Sequence, residues 1–380
     1  MLKSVVDLIP FTRRNLDTMG HLESQSLFER RPVILLSGFG VGRGLTSRIL
    51  VCLCWIALAL GCGPSTAPKS SGNATQAGPK TGPLRLAVIP KGTSHQFWRS
   101  VHAGAEAAAK ELGNVEVLWK GPETEADTMG QISVVKNFVT SRVDGIVLAP
   151  NHSHALVDAV SESVAEGIPV VIFDSGLASG PEIVSYVATN NLRGGQLAAQ
   201  RMSEALGGKG KVIVLRYKEG SESTEQRERG FIDEMAKHPG IEILSSDQYA
   251  GTTTQEAMEK ATQLLTKYGS EVNGIFAVCE PNCNGVLEAL VQAGLAGKVK
   301  FVAFDSSDTL IKGLEDQSVS GIVLQDPFEM GRQSVLTLTK KLRGEKVEAV
   351  IDTGEYVATA ENQQTDPINR LLRPEQFGGK

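Results

Sequence analysis

Residues 145–174 read GIVLAPNHSHALVDAVSESVAEGIPVVIFD. The stretch opens on a short β-rich run at 145–149 and closes on another at 170–173, with a helical period over 154–166 between them. Gly167 and Pro169 fall where a glycine beyond a helix end and a proline past it usually stand. Neither run alternates polar with apolar residues. Both are continuously apolar, as the strands of a parallel sheet covered on both faces are. One strand–helix–strand unit of this kind predicts an α/β fold.

The same programme continues on both sides of that stretch. Upstream, strands are predicted at 86–89 and 115–118 and helices at 96–112 and 127–142. Downstream, strands fall at 212–215, 241–244, 274–277 and 299–303, with helices at 192–206, 222–238, 254–268 and 282–293. Gly207-Gly208-Lys209-Gly210 punctuates the second series, and Thr252–Thr254 offers capping hydroxyls ahead of Gln255 and Glu256. The pattern predicts two doubly wound parallel-sheet α/β lobes.

The composition agrees with a globular chain: 41% of the 380 residues are hydrophobic and 21% charged, which excludes a disordered or collagen-like protein. Lys and Arg number 38 against 43 Asp and Glu, so no strong positive field exists and nucleic acid is not expected as a partner. Of the five cysteines, Cys52, Cys54 and Cys62 lie in or just after one apolar run, leaving Cys279 and Cys283 in the body. No disulfide scaffold and no CxxC pair follows from that.

That apolar run, 49–60, carries no charge, follows Arg43 and Arg48 and ends at Gly61-Cys62-Gly63-Pro64. It is too short to span a bilayer, which takes about 20 residues, and its flanks describe a secretory signal. A buried core helix is the other reading of these residues. The ending Leu58-Ala59-Leu60-Gly61-Cys62 resembles a bacterial lipoprotein signal, which implies lipid on Cys62, although Ala59 and Leu60 have their usual sizes exchanged. Residues 41–61 are then the signal and 1–40 a leader, arising from a downstream start or an atypical length. Residues 62–83, rich in Ser, Thr, Gly, Pro, Ala and Lys, read as a flexible tether. The segment VILLSGFGVGRG at 33–44 places Arg43 where G-x-G-x-x-G spacing needs glycine, so a dinucleotide loop is not expected.

Ligands of such sheets bind outside the carboxyl ends of the strands. The segments there, 90–98, 150–154, 174–175, 216–229, 279–284 and 305–307, are dense in planar hydrogen-bonding groups and carry two adjacent aromatics, Phe97 and Trp98. A polyhydroxylated small molecule suits that lining, because each hydroxyl both donates and accepts.

Along 84–353 the chain resembles the sugar-binding proteins of ATP-binding-cassette importers, specifically the ribose- and galactose-binding family. The resemblance rests on Gln96-Phe97-Trp98, Pro169-Val170-Val171-Ile172-Phe173-Asp174, Asn190-Asn191 with Gly194-Gly195, Arg227-Glu228-Arg229-Gly230-Phe231, Phe301-Val302-Ala303-Phe304-Asp305, and Gln325 ahead of Pro327. It implies the type I periplasmic-binding-protein fold, with one lobe at 84–189 and 326–352, the other at 190–325 and the tail 353–380, and three hinge crossovers near Asn190, Asn191, Gln325 and Thr353. It also implies that Phe97 and Trp98 stack on a sugar ring, Asp174 accepts hydroxyls, Arg229 donates, and Asp305 and Gln325 complete the set. His95, Ser175 and Cys279 stand where the ribose pattern has an amide, an arginine and an asparagine, so ribose itself is not implied.

Blander readings stay open for several of these residues. Asp174 suits a strand-end turn, Arg229 a solvated helix position paired with Glu225 or Glu228, and Trp98 ordinary helix packing. His152 and His154 resemble a metal pair, but Ser153 between them is placed to cap a helix, and no metal or cofactor is expected. Cys279 and Cys283 suit either a small disulfide or two free thiols. Asp174 and Asp305 can be drawn as a glycosidase acid and base, yet no nucleophile, metal or phosphate-loop motif accompanies them, and a non-enzymatic binder is expected. The resemblance implies an extracytoplasmic, lipid-anchored monomer that captures a sugar or polyol and presents its closed form to an importer permease. A membrane receptor or kinase reading that closed form is the alternative.

Overall fold

A computed structural model describes residues 82–374. The leader, the signal, Cys62, most of the tether and the last residues of the tail lie outside the described residues.

The chain begins with β1 (Leu84–Ile89), α1 (Gln96–Leu112), β2 (Val115–Trp119), α2 (Thr128–Thr140), β3 (Gly145–Leu148), α3 (Val157–Ala165), β4 (Val170–Phe173) and β5 (Ser185–Ala188). A second series follows: α4 (Asn191–Ala205), β6 (Gly210–Arg216), α5 (Glu222–Met235), β7 (Ile241–Tyr249), α6 (Thr254–Tyr268), β8 (Gly274–Ala277), α7 (Glu280–Gln292), β9 (Lys300–Phe304), α8 (Asp308–Glu315) and β10 (Gly321–Leu324). The end of the chain supplies α9 (Pro327–Leu342), β11 (Val350–Asp352), β12 (Tyr356–Ala358) and α10 (Ile368–Leu372).

These strands form two six-stranded sheets, ordered β11-β5-β4-β3-β1-β2 and β12-β10-β9-β8-β6-β7. Every neighbour pair is parallel except β10 with β12. The continuous apolar runs have a direct cause. Along β1, Leu86 and Val88 pack with α1 and α9 on one face, while Ala87 and Ile89 pack with α2 and α3 on the other. Successive side chains point to opposite faces, and from Leu86 onward both faces are buried, so these positions are all apolar.

The chain passes from one sheet to the other three times: between β5 and α4, between β10 and α9, and between β11 and β12. All three passages leave from the same edge of each sheet. In both sheets the order of the strands reverses about the first strand of the lobe, β1 or β6, and this switch point is where doubly wound sheets place their ligands.

Helix contacts fix where side chains meet the cleft. In the second lobe α4 and α5 cross at Gly195 and Gly230, where a Cβ would collide with the carbonyl oxygens of Arg227 and Leu192. The two backbones touch there, which pins α5 in position and in rotation. Half of the ten α-helices among the described residues are capped from within: Asp127, Asn190, Thr253, Ser307 and Asp326 each accept a bond from their own first turn. The helix α1 has no such bond from its N-cap residue, His95.

Among the described residues no helix is long and apolar enough to cross a membrane.

Candidate functional site

Two aspartates hold corresponding places in the two lobes. Asp174 directly follows β4 and Asp305 directly follows β9, and both take positive φ, 60° and 70°. Side chains other than glycine rarely adopt that conformation, and where it persists the surroundings enforce it. The N–H of Asp174 donates to Val187 O at 3.0 Å and that of Asp305 to Val323 O at 2.9 Å, so the neighbouring strand holds each turn in the same way. The turn reading of Asp174 holds, and the turn places its side chain in the lining of a cleft.

Both carboxylates line a cleft between the lobes with about 350 Å³ of space free of protein atoms. Its walls carry three internal ion pairs. Lys91 Nζ lies 2.8 Å from Asp174 Oδ2, His95 Nδ1 lies 2.9 Å from Glu125 Oε1, and Arg227 Nη1 lies 3.6 Å from Asp305 Oδ2. A fourth carboxylate, Glu280, accepts from backbone N–H groups instead. Every charged group in the wall is engaged within the protein, by an opposite charge or, for Glu280, by backbone N–H groups, an arrangement compatible with an uncharged guest.

His95 sits at the N-cap of α1 and turns its ring to Glu125. The Trp98 indole N–H donates to the same Oε1 at 2.8 Å, and the Tyr217 hydroxyl donates to Oε2 at 2.9 Å. Burial works against the Glu125 carboxylate, but the hydrogen bond and charge of His95, with Lys91 and Trp98, hold its pKa at about 2. Burial likewise works against a charged His95, yet its bond to Glu125 and the charges of Glu125, Glu280 and Asp305 raise its pKa overall. Burial pushes the Tyr217 hydroxyl and the Cys279 thiol well up, so both remain neutral.

Phe97 and Trp98 meet edge to face, with ring centroids 4.9 Å apart, and both line the cleft. Trp98 also packs into the first lobe's core beside Phe173, so its packing and its place in the wall coexist. Cys279 lines the cleft, and Asp305 accepts from Gln325 Nε2 at 2.7 Å. The other amide atom of Gln325, Oε1, is buried in the wall without a partner among the described residues. Ser175 is buried behind the wall, where its hydroxyl accepts from the Ser223 N–H at 3.0 Å.

Arg229 requires a correction. It is 69% exposed and faces solvent beside Asp233, 3.4 Å away; neither Glu225 nor Glu228 is its partner. The guanidinium in the cleft is Arg227, two residues earlier. Two residues turn a helix through about 200°, so only one of the two arginines can face inward. Arg227 shares its face with Phe231, one helical turn on, and that spacing was the available signal. Its Nε donates to Asn191 Oδ1 and its Nη1 to Val278 O, at 2.8 and 2.9 Å, and the group lies 3.9 Å over the Phe304 ring.

Lys91, Glu125, Tyr217, Ser223 and Glu280 belong to the cleft without having been singled out in the sequence. Lys91 Nζ donates to Ser223 Oγ at 2.9 Å across the lobes. Of the crossover residues, Asn191 Nδ2 donates to Asp174 O and Thr189 O. Asn190 caps α4, and Thr353 Oγ1 lies 3.5 Å from Thr189 Oγ1.

Cys279 and Cys283 are free and buried. His152 Nδ1 accepts from the backbone of His154 and Ala155, and Ser153 Oγ pairs with the His154 ring. The helix α3 starts later than expected, after a turn. Among the described residues no cluster of metal-ligating side chains occurs.

A family match decides what kind of cleft this is: residues 86–346 fit the model of the periplasmic binding protein domain. The chain belongs to the periplasmic binding protein family. This periplasmic binding protein is 29% identical over 266 residues to the ribose import binding protein of Haemophilus influenzae, covering 70% of this chain and 88% of that protein. Its fold is similar to that of a carbohydrate transporter solute binding protein from Agrobacterium radiobacter in complex with D-arabinose. The TM-score is 0.74 and the identity 32%, over 77% of this chain and all of that one. An ABC transporter solute binding protein from Agrobacterium vitis with bound D-fucose gives a TM-score of 0.73 at 34% identity, over 76% of this chain and 99% of that one.

Proposed function

We propose that this chain captures a sugar or sugar-like polyol between its lobes, leaves it unaltered and delivers it to the permease of an ATP-binding-cassette importer. The wall, whose charged groups are all engaged within the protein, carries this reading. Carboxylates that are already neutralised still have lone pairs to accept hydroxyls, the Gln325 amide oxygen supplies a further buried acceptor, and Phe97 and Trp98 offer aromatic faces and edges to C–H groups. Relatives that carry D-arabinose and D-fucose support the ligand class.

The same wall argues against glycoside cleavage. Asp174 is engaged by Lys91, and Asp305 by Arg227 and Gln325. Glu125, held at a pKa of about 2, is not a proton donor at neutral pH. The three passages between the sheets act as the hinge, at Asn190 and Asn191, Gln325 and Thr353. Ligand bridging the lobes favours the closed form by the contacts made only there. Residues 41–61 act as the export signal, lipid on Cys62 anchors the protein outside the cytoplasm, and 62–83 tether the lobes, which work as a monomer.

Intrinsic fluorescence tests the binding reading. Titration with D-arabinose, D-fucose, D-ribose and xylitol is expected to give a saturable change for at least one of them, absent in Trp98→Phe. Silence toward all four, with no carbohydrate released from protein purified natively and examined by mass spectrometry, would remove the reading.

A further inference from the structure

The uncapped start of α1 is answered from the other lobe. Glu280, the first residue of α7, reaches across the cleft and accepts from two successive N–H groups of α1: Gln96 N to Oε1 at 3.3 Å and Phe97 N to Oε2 at 3.0 Å. The first turn of α1 contains no acidic residue, and the His95 ring is committed to Glu125. Glu280 is itself 8% exposed, and its own N–H donates to Asp305 Oδ2 at 3.2 Å. Glu280 therefore links Asp305 in one lobe, through its backbone N–H, to the helix start bearing Phe97 and Trp98 in the other, through its carboxylate.

We propose that Glu280 is a positioning residue of the closed state, capping across the cleft the helix that presents Phe97 and Trp98, so that the aromatic pair is fixed only when the lobes meet. The inference rests on the sugar-binding reading above. A free helix start leaves N–H groups unsatisfied, and a carboxylate there is favoured by hydrogen bonding and by the helix dipole together. In the open form both the helix start and the carboxylate are returned to water. Closure removes water from Glu280, and that burial opposes the gain from the cap. The latch is thereby kept from shutting the lobes strongly by itself and leaves the decision to the ligand.

Reach separates this role from a charge effect. Glu280→Asp keeps the charge one methylene short, whereas Glu280→Gln keeps the length and one acceptor. With D-arabinose as the probe, Glu280→Ala and Glu280→Asp are expected to release the sugar about ten-fold faster, with association little changed and Glu280→Gln in between. Hydrogen exchange at the Gln96 and Phe97 amides is expected to speed up in Glu280→Ala and Glu280→Asp relative to the parent, strongly with sugar bound and weakly without it, where the lobes close only part of the time. Thermal stability of the ligand-free proteins is expected to stay equal.

Unchanged exchange at both amides in both arms overturns the latch, as does Glu280→Asp behaving like the parent. An equal loss of ligand-free stability in every variant also overturns it, since that marks a plain structural role. Failure of D-arabinose to bind the parent counts against the sugar-binding reading, while the exchange measurement without sugar still decides the latch.

Discussion

The two lobes present the same aspartate on the same left-handed turn, yet they hold it differently. In the second lobe the partners of Asp305 are local: Arg227 and Gln325 engage it, and Arg227 is in turn fixed by Asn191, by Val278 O and by the Phe304 ring. The first lobe's polar residues share their bonds across the cleft. Lys91 divides itself between Asp174 and Ser223, and Glu125 accepts from Tyr217 as well as from His95 and Trp98. The second wall is thus assembled whether or not the lobes meet, whereas the first is completed by closure. A ligand finds a rigid set of groups on one side and finishes building the other.

The largest effect should come from breaking the rigid wall. Arg227→Ala leaves Asp305 buried beside unpaired acceptors, and loss of one partner of a buried pair costs about 3–5 kcal/mol. Urea unfolding of the ligand-free protein should show that loss. Arg229→Ala, on the solvent side of the same helix, should change stability by less than about 0.5 kcal/mol. Equal effects from the two would erase the distinction between the faces of α5.

Lys91→Met sharpens the comparison from the other side. In the open form Asp174 regains water, so ligand-free stability should fall by only about 1 kcal/mol. Ligand dissociation should quicken about ten-fold, because the Lys91–Ser223 bond exists only between closed lobes. A stability loss as large as that of Arg227→Ala would mean that the first wall is equally preassembled.

The smallest effect concerns pH. His95 has a raised pKa in the folded protein, so its contribution is full below its ordinary value of 6.5 and is lost as pH rises through the higher folded value. Glu125 stays ionised throughout that window, being held at about 2. Folding stability measured from about pH 6 upward should therefore decline gently, and His95→Gln should flatten the profile. A rise of stability with pH across that window would contradict the charged pair.

Much of the fold was legible because burial on both faces leaves a strong mark. The strands at 170–173 and 274–277 and the helices at 96–112 and 254–268 coincide with β4, β8, α1 and α6. Less legible were short elements whose neighbours come from far along the chain. β11 and β12 have three residues each, and Val350 and Tyr356 are exposed, so neither carries a buried apolar run. β7 extends five residues past its expected end, because Ser245, Ser246, Asp247 and Gln248 are polar and give the edge strand no continuous apolar run there. Within the cleft, Asp174, Asp305 and Gln325 were marked by their places after strands. Arg227 was hidden by helical phase. Glu125, Tyr217 and Glu280 also have partners on the opposite lobe, and no local spacing announces that.

All three passages between the sheets leave from one flank, beside β5 and β11 in one sheet and β10 and β12 in the other. A seam on a single side makes each lobe a lever, and displacement on opening grows with distance from it. Asn191, which donates to the carbonyl of Asp174, sits at the seam and hardly travels. Glu125 follows β2, the strand farthest from the seam, and its bond to Tyr217 spans the widest part of the gap. On the hinge proposed above, that bond is among the first to part as the lobes separate, and a guest then enters and leaves past Glu125 and Tyr217.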